Sequence, residues 1–307
     1  MPIPAIRLDG VTKVFGRHRR RVEAVRRLSL EVAQGQVYGF LGPNGAGKST
    51  TIRILMDLVR PTSGEAVIFD RPVRRDAAVL RERVGALVEG AAFYGFLSAR
   101  DNLAVLARTS GVFDARRIDD LLVQVGLAER ADTKVGGFST GMKQRLGLAA
   151  ALLSDPDLVI LDEPTNGLDP AGIQEVRHFI RNLVDDRGKT VFLSSHLLGE
   201  VEQVCDRVAI INKGEIVREG NVTALLGHHT QVRIEVAQPA TAQAVLVDAW
   251  PVTAEGSWLT VDATRDDVPV ILQRLLAHGC QVYQVLVVRQ SLEEYFLEAV
   301  SEAAPPI

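Results

Sequence analysis

Gly42-Pro43-Asn44-Gly45-Ala46-Gly47-Lys48-Ser49 is the segment of this chain most informative about its architecture. It fits the pattern G-x-x-x-x-G-K-[ST], and an apolar run from Gln36 to Leu41 leads into it. Residues without side chains let successive backbone N–H groups converge on phosphate oxygens. The segment Thr50 to Leu58 reads as a helix, so the positive end of its dipole faces the same anion. Lys48 is placed to reach the β- and γ-phosphates of a nucleotide, Ser49 to offer a hydroxyl to Mg²⁺, and Thr50 to add a donor. Gly42, Pro43, Asn44, Gly45, Ala46, Gly47, Lys48, Ser49 and Thr50 are therefore the candidate nucleotide-binding residues.

Downstream, the four-residue apolar strand Leu158 to Leu161 runs into Asp162-Glu163. An acid at the end of a buried strand beside a phosphate loop is placed to hold Mg²⁺ directly or through water, which assigns Asp162 to the metal with Ser49. Its neighbour Glu163 is the candidate for orienting and polarising an attacking water. Between the two motifs Asp101 to Ser110, Arg116 to Val125 and Thr140 to Leu153 read as helices. After them come a helix at Gln174 to Asp185, a buried strand at Thr190 to Leu193, and a hairpin made of Val208 to Asn212 and Glu215 to Arg218. Near the N-terminus, Ala5 to Leu8 and Ala24 to Val32 read as strands of a β-rich start. Short, fully apolar strands alternating with helices indicate an α/β protein with a parallel sheet covered on both faces.

After about Gly220 the texture changes. Strand-like and helix-like segments follow in the order β-α-β-β-α-β, with a final helix at Leu292 to Val300. That order suggests a small α+β, ferredoxin-like C-terminal domain. The expected division is residues 1–220 and 221–307.

The 307 residues are 47% hydrophobic and 24% charged, which is globular rather than disordered. A net charge of −3 lacks the basic excess of a dedicated nucleic-acid binder, so no nucleic-acid partner is expected. Two cysteines make neither a disulfide framework nor a zinc site. The first residues, MPIPAIRLDG, do not read as a signal peptide. The longest stretch without a charge, Val32 to Gly47, is too short and too rich in glycine to span a bilayer.

With these motifs in order, residues 5 to about 220 resemble the nucleotide-binding subunit of an ABC transporter. Phe138-Ser139-Thr140-Gly141-Met142-Lys143-Gln144-Arg145 looks like that family's signature segment, and LDEPTNGLD from Leu161 to Asp169 looks like its second nucleotide motif running into the D-loop. His196 sits where the family has its switch histidine, and Phe15 where an aromatic stacks on adenine. The resemblance implies a P-loop NTPase cassette with a RecA-like core, a β-rich subdomain and a helical subdomain at about 90–155. It implies ATP and Mg²⁺ as cofactors, and ATP hydrolysis in which Lys48, Glu163 and His196 take part. It also implies a head-to-tail pair of cassettes, in which Ser139, Thr140, Gly141 and Met142 close over the partner's ATP and Asp169 lies at the seam. The expected partners are a second ATP-binding subunit, as a homodimer rather than a heterodimer, and a separate membrane permease that holds the protein at the cytoplasmic face.

Two departures from the family pattern stand out. Thr140 and Met142 replace the usual glycine and glutamine of the signature. Glu89 stands where a metal-contacting glutamine is usual, and is the candidate for coupling the site to the permease and for touching the metal. The Phe93-Tyr94-Gly95-Phe96-Leu97 run after it is either a contact surface or core. Glu89, the signature and Ser291-Leu292-Glu293-Glu294-Tyr295-Phe296-Leu297-Glu298 together resemble bacitracin-, lantibiotic- and multidrug-type exporter ATPases, with drug-export ATPases of the daunorubicin type and sodium-export types as near alternatives. The competing readings are a soluble ABC protein of translation or repair and a non-hydrolysing nucleotide switch. A single P-loop, the absence of heptads between Lys48 and Asp162, and Glu163 weigh against them.

Other features read as bland. Asn212-Lys213-Gly214-Glu215 is a hairpin turn rather than a guanine-reading motif. The cluster Arg17-His18-Arg19-Arg20-Arg21 is a solvated loop, and His228-His229 is too short for a metal tract. Cys205 and Cys280 are small buried residues, and Trp250 and Trp258 pack the C-terminal domain.

Overall fold

The computed structural model describes residues 2–16, 21–88, 92–227 and 230–289. By its internal contacts the chain divides into two compact units, Met1–Gly220 and Asn221–Ile307.

The first unit opens with an antiparallel pair, β1 (Ile6–Phe15) and β2 (Val22–Val32). β3 (Val37–Leu41) then enters the interior, and the phosphate-loop motif leads into α1 (Lys48–Leu55). β4 (Ser63–Ile68) returns to pair with β1, and β5 (Arg71–Pro72) pairs with β4. α2 (Val73–Arg83) and β6 (Val84–Leu87) follow, then three helices: α3 (Ala99–Thr109), α4 (Ala115–Gln124) and α5 (Thr140–Ala151). The remainder alternates through β7 (Leu158–Asp162), α6 (Pro170–Asp185), β8 (Thr190–Ser195), α7 (Leu198–Val204), β9 (Arg207–Asn212) and β10 (Glu215–Asn221).

Two sheets result: β2-β1-β4-β5, and the six-stranded β10-β9-β3-β8-β7-β6. From β9 through β6 the neighbours in the larger sheet are parallel. Every residue of β3, β7 and β8 is buried. That is why these strands read as uninterrupted apolar runs: both their faces are covered. Tyr38 and Phe40 of β3 flank Phe192 of β8 at ring distances of 5.8 and 5.5 Å, and tie the two central strands together.

Several boundaries differ from the sequence reading. The helix expected from Thr50 to Leu58 runs from Lys48 to Leu55, because Gly47 itself is its left-handed N-cap residue. The helix expected from Gln174 begins at Pro170. Asp169 caps it by accepting from the Gly172 N–H at 2.9 Å, and a proline at the first helical position needs no N–H partner. The segment β4-β5-α2 has no counterpart in the sequence reading. Only Val73 and Leu80 of α2 are buried, so its apolar stripe is too thin to read.

The second unit contains α8 (Val222–Gly227), β11 (Thr230–Val236), α9 (Pro239–Leu246), β12 (Val252–Glu255), β13 (Trp258–Asp262), α10 (Val268–Ala277) and β14 (Val282–Arg289). Its sheet order is β12-β13-β11-β14 with every pairing antiparallel. This is the ferredoxin-like arrangement that the element order suggested. Val232, Ile234, Leu259 and Val261 alternate inward and meet Leu246, Ile271 and Leu275 from the two helices. Trp250 packs against this core, whereas Trp258 is half-buried under the Arg233 guanidinium, 5.1 Å from its ring. Cys205 and Cys280 are buried free thiols, and burial pushes the Cys205 thiol well above its ordinary value. The expected helix at Leu292 to Val300, His228-His229 and Arg17 to Arg20 lie outside the described residues. Among the described residues no helix is long and apolar enough to cross a membrane.

Candidate functional site

The phosphate-loop motif leaves the carboxyl end of β3 and is fixed from several sides. Gly42 donates its N–H to the Ser195 carbonyl at the end of β8, at 3.4 Å. It lies so close to β9 that a Cβ on it would stand 2.2 Å from the Ile211 carbonyl oxygen, so no larger residue fits. The Ala46 carbonyl accepts from the Gly214 N–H at 2.9 Å, which pins the loop to the β9–β10 turn. That turn is the one expected at Lys213-Gly214, with φ of 48° and 87°. Pro43, Asn44 and Gly45 remain exposed, while Ser49 and Thr50 sit half-buried in the first turn of α1.

Lys48 is 6% exposed. Its Nζ donates to the Gly42 carbonyl at 2.6 Å and to the Pro43 carbonyl at 3.4 Å, and lies 3.2 Å from Glu163 Oε1. The other carboxylate oxygen of Glu163 accepts from His196 Nδ1 at 2.7 Å. Glu163 therefore bridges the phosphate-loop lysine and the histidine that follows β8. Its backbone has φ of 50°, uncommon for a residue with a side chain. Beside it, Asp162 Oδ1 accepts from Ser194 Oγ at 2.5 Å, and Ser194 Oγ accepts from the Glu163 N–H at 3.0 Å. Lys48 at the start of α1, Asp162 and Glu163 at the end of β7, and Ser194 and His196 at the end of β8 thus come together, at the carboxyl ends of parallel strands where α/β sheets bind ligands. The arrangement offers an anion a lysine and a helix N-terminus. It offers a divalent cation two hard oxygen donors, the Ser49 hydroxyl and the Asp162 carboxylate.

The signature residues form a second locality. Ser139 is the N-cap of α5, its Oγ accepting from the Met142 N–H at 3.3 Å. Ser139, Thr140 and Gly141 line a cleft with Gly167, Leu168 and Asp169, in which no phosphate-loop residue takes part. Gln144 donates to the Pro164 carbonyl at 2.8 Å and ties α5 to the segment after Glu163. Phe15 ends β1, is 40% exposed, and has Lys13 Nζ 4.9 Å from its ring centre. Glu89 lies outside the described residues. Of the run after it, Tyr94 and Phe96 are exposed with rings 5.7 Å apart, a surface rather than core.

Sequence reasoning missed Ser194, Gln144 and the contact of Gly214 with the loop. A serine inside an otherwise apolar buried strand was the available signal for the first. It also missed Asn102, which is buried in α3. Asn102 accepts from the Tyr94 N–H at 2.8 Å and donates to the Tyr94 and Ser98 carbonyls at 3.1 and 2.8 Å, and so holds the loop that carries Tyr94 and Phe96.

A family profile described as "ABC transporter" matches residues 25–166. The uncharacterized ABC transporter ATP-binding protein YhcH of Bacillus subtilis (strain 168) is 40% identical over 276 residues, 90% of each chain. The bacitracin transport ATP-binding protein BcrA of Bacillus licheniformis is 47% identical over 214 residues, 70% of this chain and 69% of that one. Among solved structures, the dimeric post-hydrolysis state of the ATP-binding cassette MJ0796 bound to ADP and Pi superposes with a TM-score of 0.65. It covers 71% of this chain and 98% of that one at 24% identity, a likeness of fold.

Proposed function

The chain belongs to the ABC transporter family as an ATP-binding, ATP-hydrolysing subunit, and from that membership we propose that it powers export of an antibiotic, peptide or other small amphiphile through a separate membrane permease. The observation that carries the catalytic part is the bridge Lys48–Glu163–His196, with contacts of 3.2 and 2.7 Å at the mouth of the phosphate loop. Lys48 leaves Glu163 for the β- and γ-phosphates when ATP arrives, since a polyphosphate offers it more negative charge than one carboxylate. Glu163, released on that side, accepts the proton of the attacking water, and His196 contacts the γ-phosphate. Backbone N–H groups of the 42–47 loop and the N-terminus of α1 hold the phosphates, and the half-exposed Phe15 stacks on the base. Ser49 and Asp162 would hold Mg²⁺, and the ion would supply positive charge against the phosphate oxygens.

ABC cassettes of this family act as dimers with transmembrane partners. For this chain we take the dimer to be a homodimer, because one chain carries a full set of motifs. Ser139, Thr140, Gly141 and Met142 of one copy then close over the ATP of the other, with Asp169 at the seam. Glu89 keeps its assignment to coupling and to the metal from its place in the sequence alone. The permease holds the pair at the cytoplasmic face of the membrane. The export reading leans on the relative BcrA, whose name ties it to bacitracin transport.

Glu163→Gln tests the mechanism. The variant is expected to bind ATP, to lose at least ~100-fold in turnover, and to run as an ATP-dependent dimer in size-exclusion chromatography. A variant that hydrolyses ATP normally, or stays monomeric with ATP, overturns it. Lys48→Ala is the companion control and is expected to lose ATP binding.

A further inference from the structure

We infer that Ser194 is a positioning residue for the reaction, a clamp that sets the metal-holding carboxylate and the water-activating glutamate with a single hydroxyl. The inference rests on the assignment of Asp162 and Glu163 above.

A serine hydroxyl has one hydrogen to give and two lone pairs to receive. Ser194 uses both kinds here. Its O–H donates to Asp162 Oδ1 at 2.5 Å, and its oxygen accepts from the Glu163 N–H at 3.0 Å. The side chain is fully buried and sits in β8 directly opposite Asp162 of β7 in the parallel register, so neither bond competes with water. A short bond to a carboxylate is among the stronger ones available to a hydroxyl. It fixes the rotation of the Asp162 carboxyl group and commits Oδ1, which leaves Oδ2 to face a cation.

The second bond acts on the backbone. Glu163 turns through a left-handed conformation at φ of 50°, and that turn is what aims its side chain at Lys48 and His196. Without an acceptor for its N–H, nothing else among the hydrogen bonds described would hold that turn from the strand side. The hydroxyl therefore couples two jobs that the neighbouring acids perform separately: where the metal sits, and where the base points. The other five residues of β8, Thr190 to Leu193 and Ser195, are buried as well, so burial alone would be served by any small apolar residue at 194.

Ser194→Thr and Ser194→Val decide the matter, because the two introduced side chains have nearly one shape and differ in the hydroxyl. ATP affinity is measured by fluorescence of a labelled ATP, once with Mg²⁺ and once with EDTA, and turnover is measured alongside. In EDTA the two variants are expected to agree within about twofold, which reports an intact phosphate loop. With Mg²⁺ the threonine variant is expected to bind at least about tenfold more tightly and to turn over at least tenfold faster, the range usual for groups that orient a metal's ligands. Agreement of the two variants within twofold in Mg²⁺ overturns the clamp. If both fail in EDTA, Ser194→Ala is compared with the unsubstituted protein by the same ratio of affinities, and a ratio unchanged within twofold has the same consequence. Failure of the unsubstituted protein to bind ATP with Mg²⁺ would instead refute the assignment of the site.

Discussion

The phosphate loop gives a sharp contrast between two of its glycines. At Gly42 the backbone is in an ordinary conformation, but an added Cβ would stand 2.2 Å from the Ile211 carbonyl oxygen and 3.0 Å from Ile211 Cγ2. One partner is backbone in a buried strand and cannot swing away, so Gly42→Ala must push β3 and β9 apart. Such overpacking costs about 3 kcal/mol, the upper part of its usual range. At Gly45 the opposite holds: φ is 81° and nothing lies within 4 Å of an added Cβ. Gly45→Ala suffers the left-handed penalty of about 1–2 kcal/mol. Loss of glycine's freedom in the unfolded chain offsets about 0.4–1 kcal/mol of that. The net is about 1 kcal/mol. For a unit of this size each kcal/mol moves the melting midpoint by about 2–4 °C. Thermal unfolding followed by circular dichroism without nucleotide should therefore show a drop of about 6–12 °C for Gly42→Ala and about 2–4 °C for Gly45→Ala. Equal shifts, or a larger one at Gly45, would refute the claim that the first glycine is required by the approach of β9.

Two further outcomes follow from contacts outside the loop. Asn102→Ala should leave the Tyr94 N–H without its acceptor, at about 1–3 kcal/mol, while the Tyr94 and Ser98 carbonyls keep the backbone N–H groups of Leu97 and Asn102. Hydrogen exchange at the Tyr94 amide should speed by about tenfold or more, and an unchanged rate would show that Asn102 does not hold the aromatic loop. Asp155 is held below the ordinary carboxylate range, first by the hydrogen bond from Lys189 at 2.8 Å and also by Arg117 at 2.9 Å. A depressed value means its stabilisation is present above the unfolded value of about 4 and is lost as pH falls through the lower folded value. Asp155 is mostly exposed, so the contribution is about 0.2–1 kcal/mol. Asp155→Asn should lower the melting midpoint slightly at pH 7 and not at pH 2, and an equal loss at both would contradict the ion-pair account.

Much of the candidate site was legible because binding a phosphate chain calls for fixed residue types at fixed spacing along the sequence. The phosphate loop, Asp162, Glu163 and the strands β3, β7 and β8 are of that kind, and so is the ferredoxin-like order of the second unit. What could not be read depends on contacts between distant segments. Ser194 acquires its meaning only when β8 lies beside β7, and Gly214 only when the β9–β10 turn meets Ala46. The start of α6 was legible and was overlooked: Asp169-Pro170 is a strong helix-start pair. Segment 63–83 stayed hidden because β4 is half exposed and α2 buries two side chains, so neither strand nor helix periodicity rises above the polar background.

The way the phosphate loop is held has a consequence for the order in which the protein is made. Residues 42–49 leave the ribosome early, but their supports are the carbonyl of Ser195, the strand at Ile211 and the turn at Gly214. Closing contacts across more than 150 residues is entropically slow, and a chain is synthesised at about 5–20 residues per second. The loop that comes first in the message is therefore among the last parts to take shape. A nascent chain halted before residue 195 carries the whole loop sequence and should retain no nucleotide. Nucleotide retention is expected to begin only in chains long enough to include the turn at Gly214.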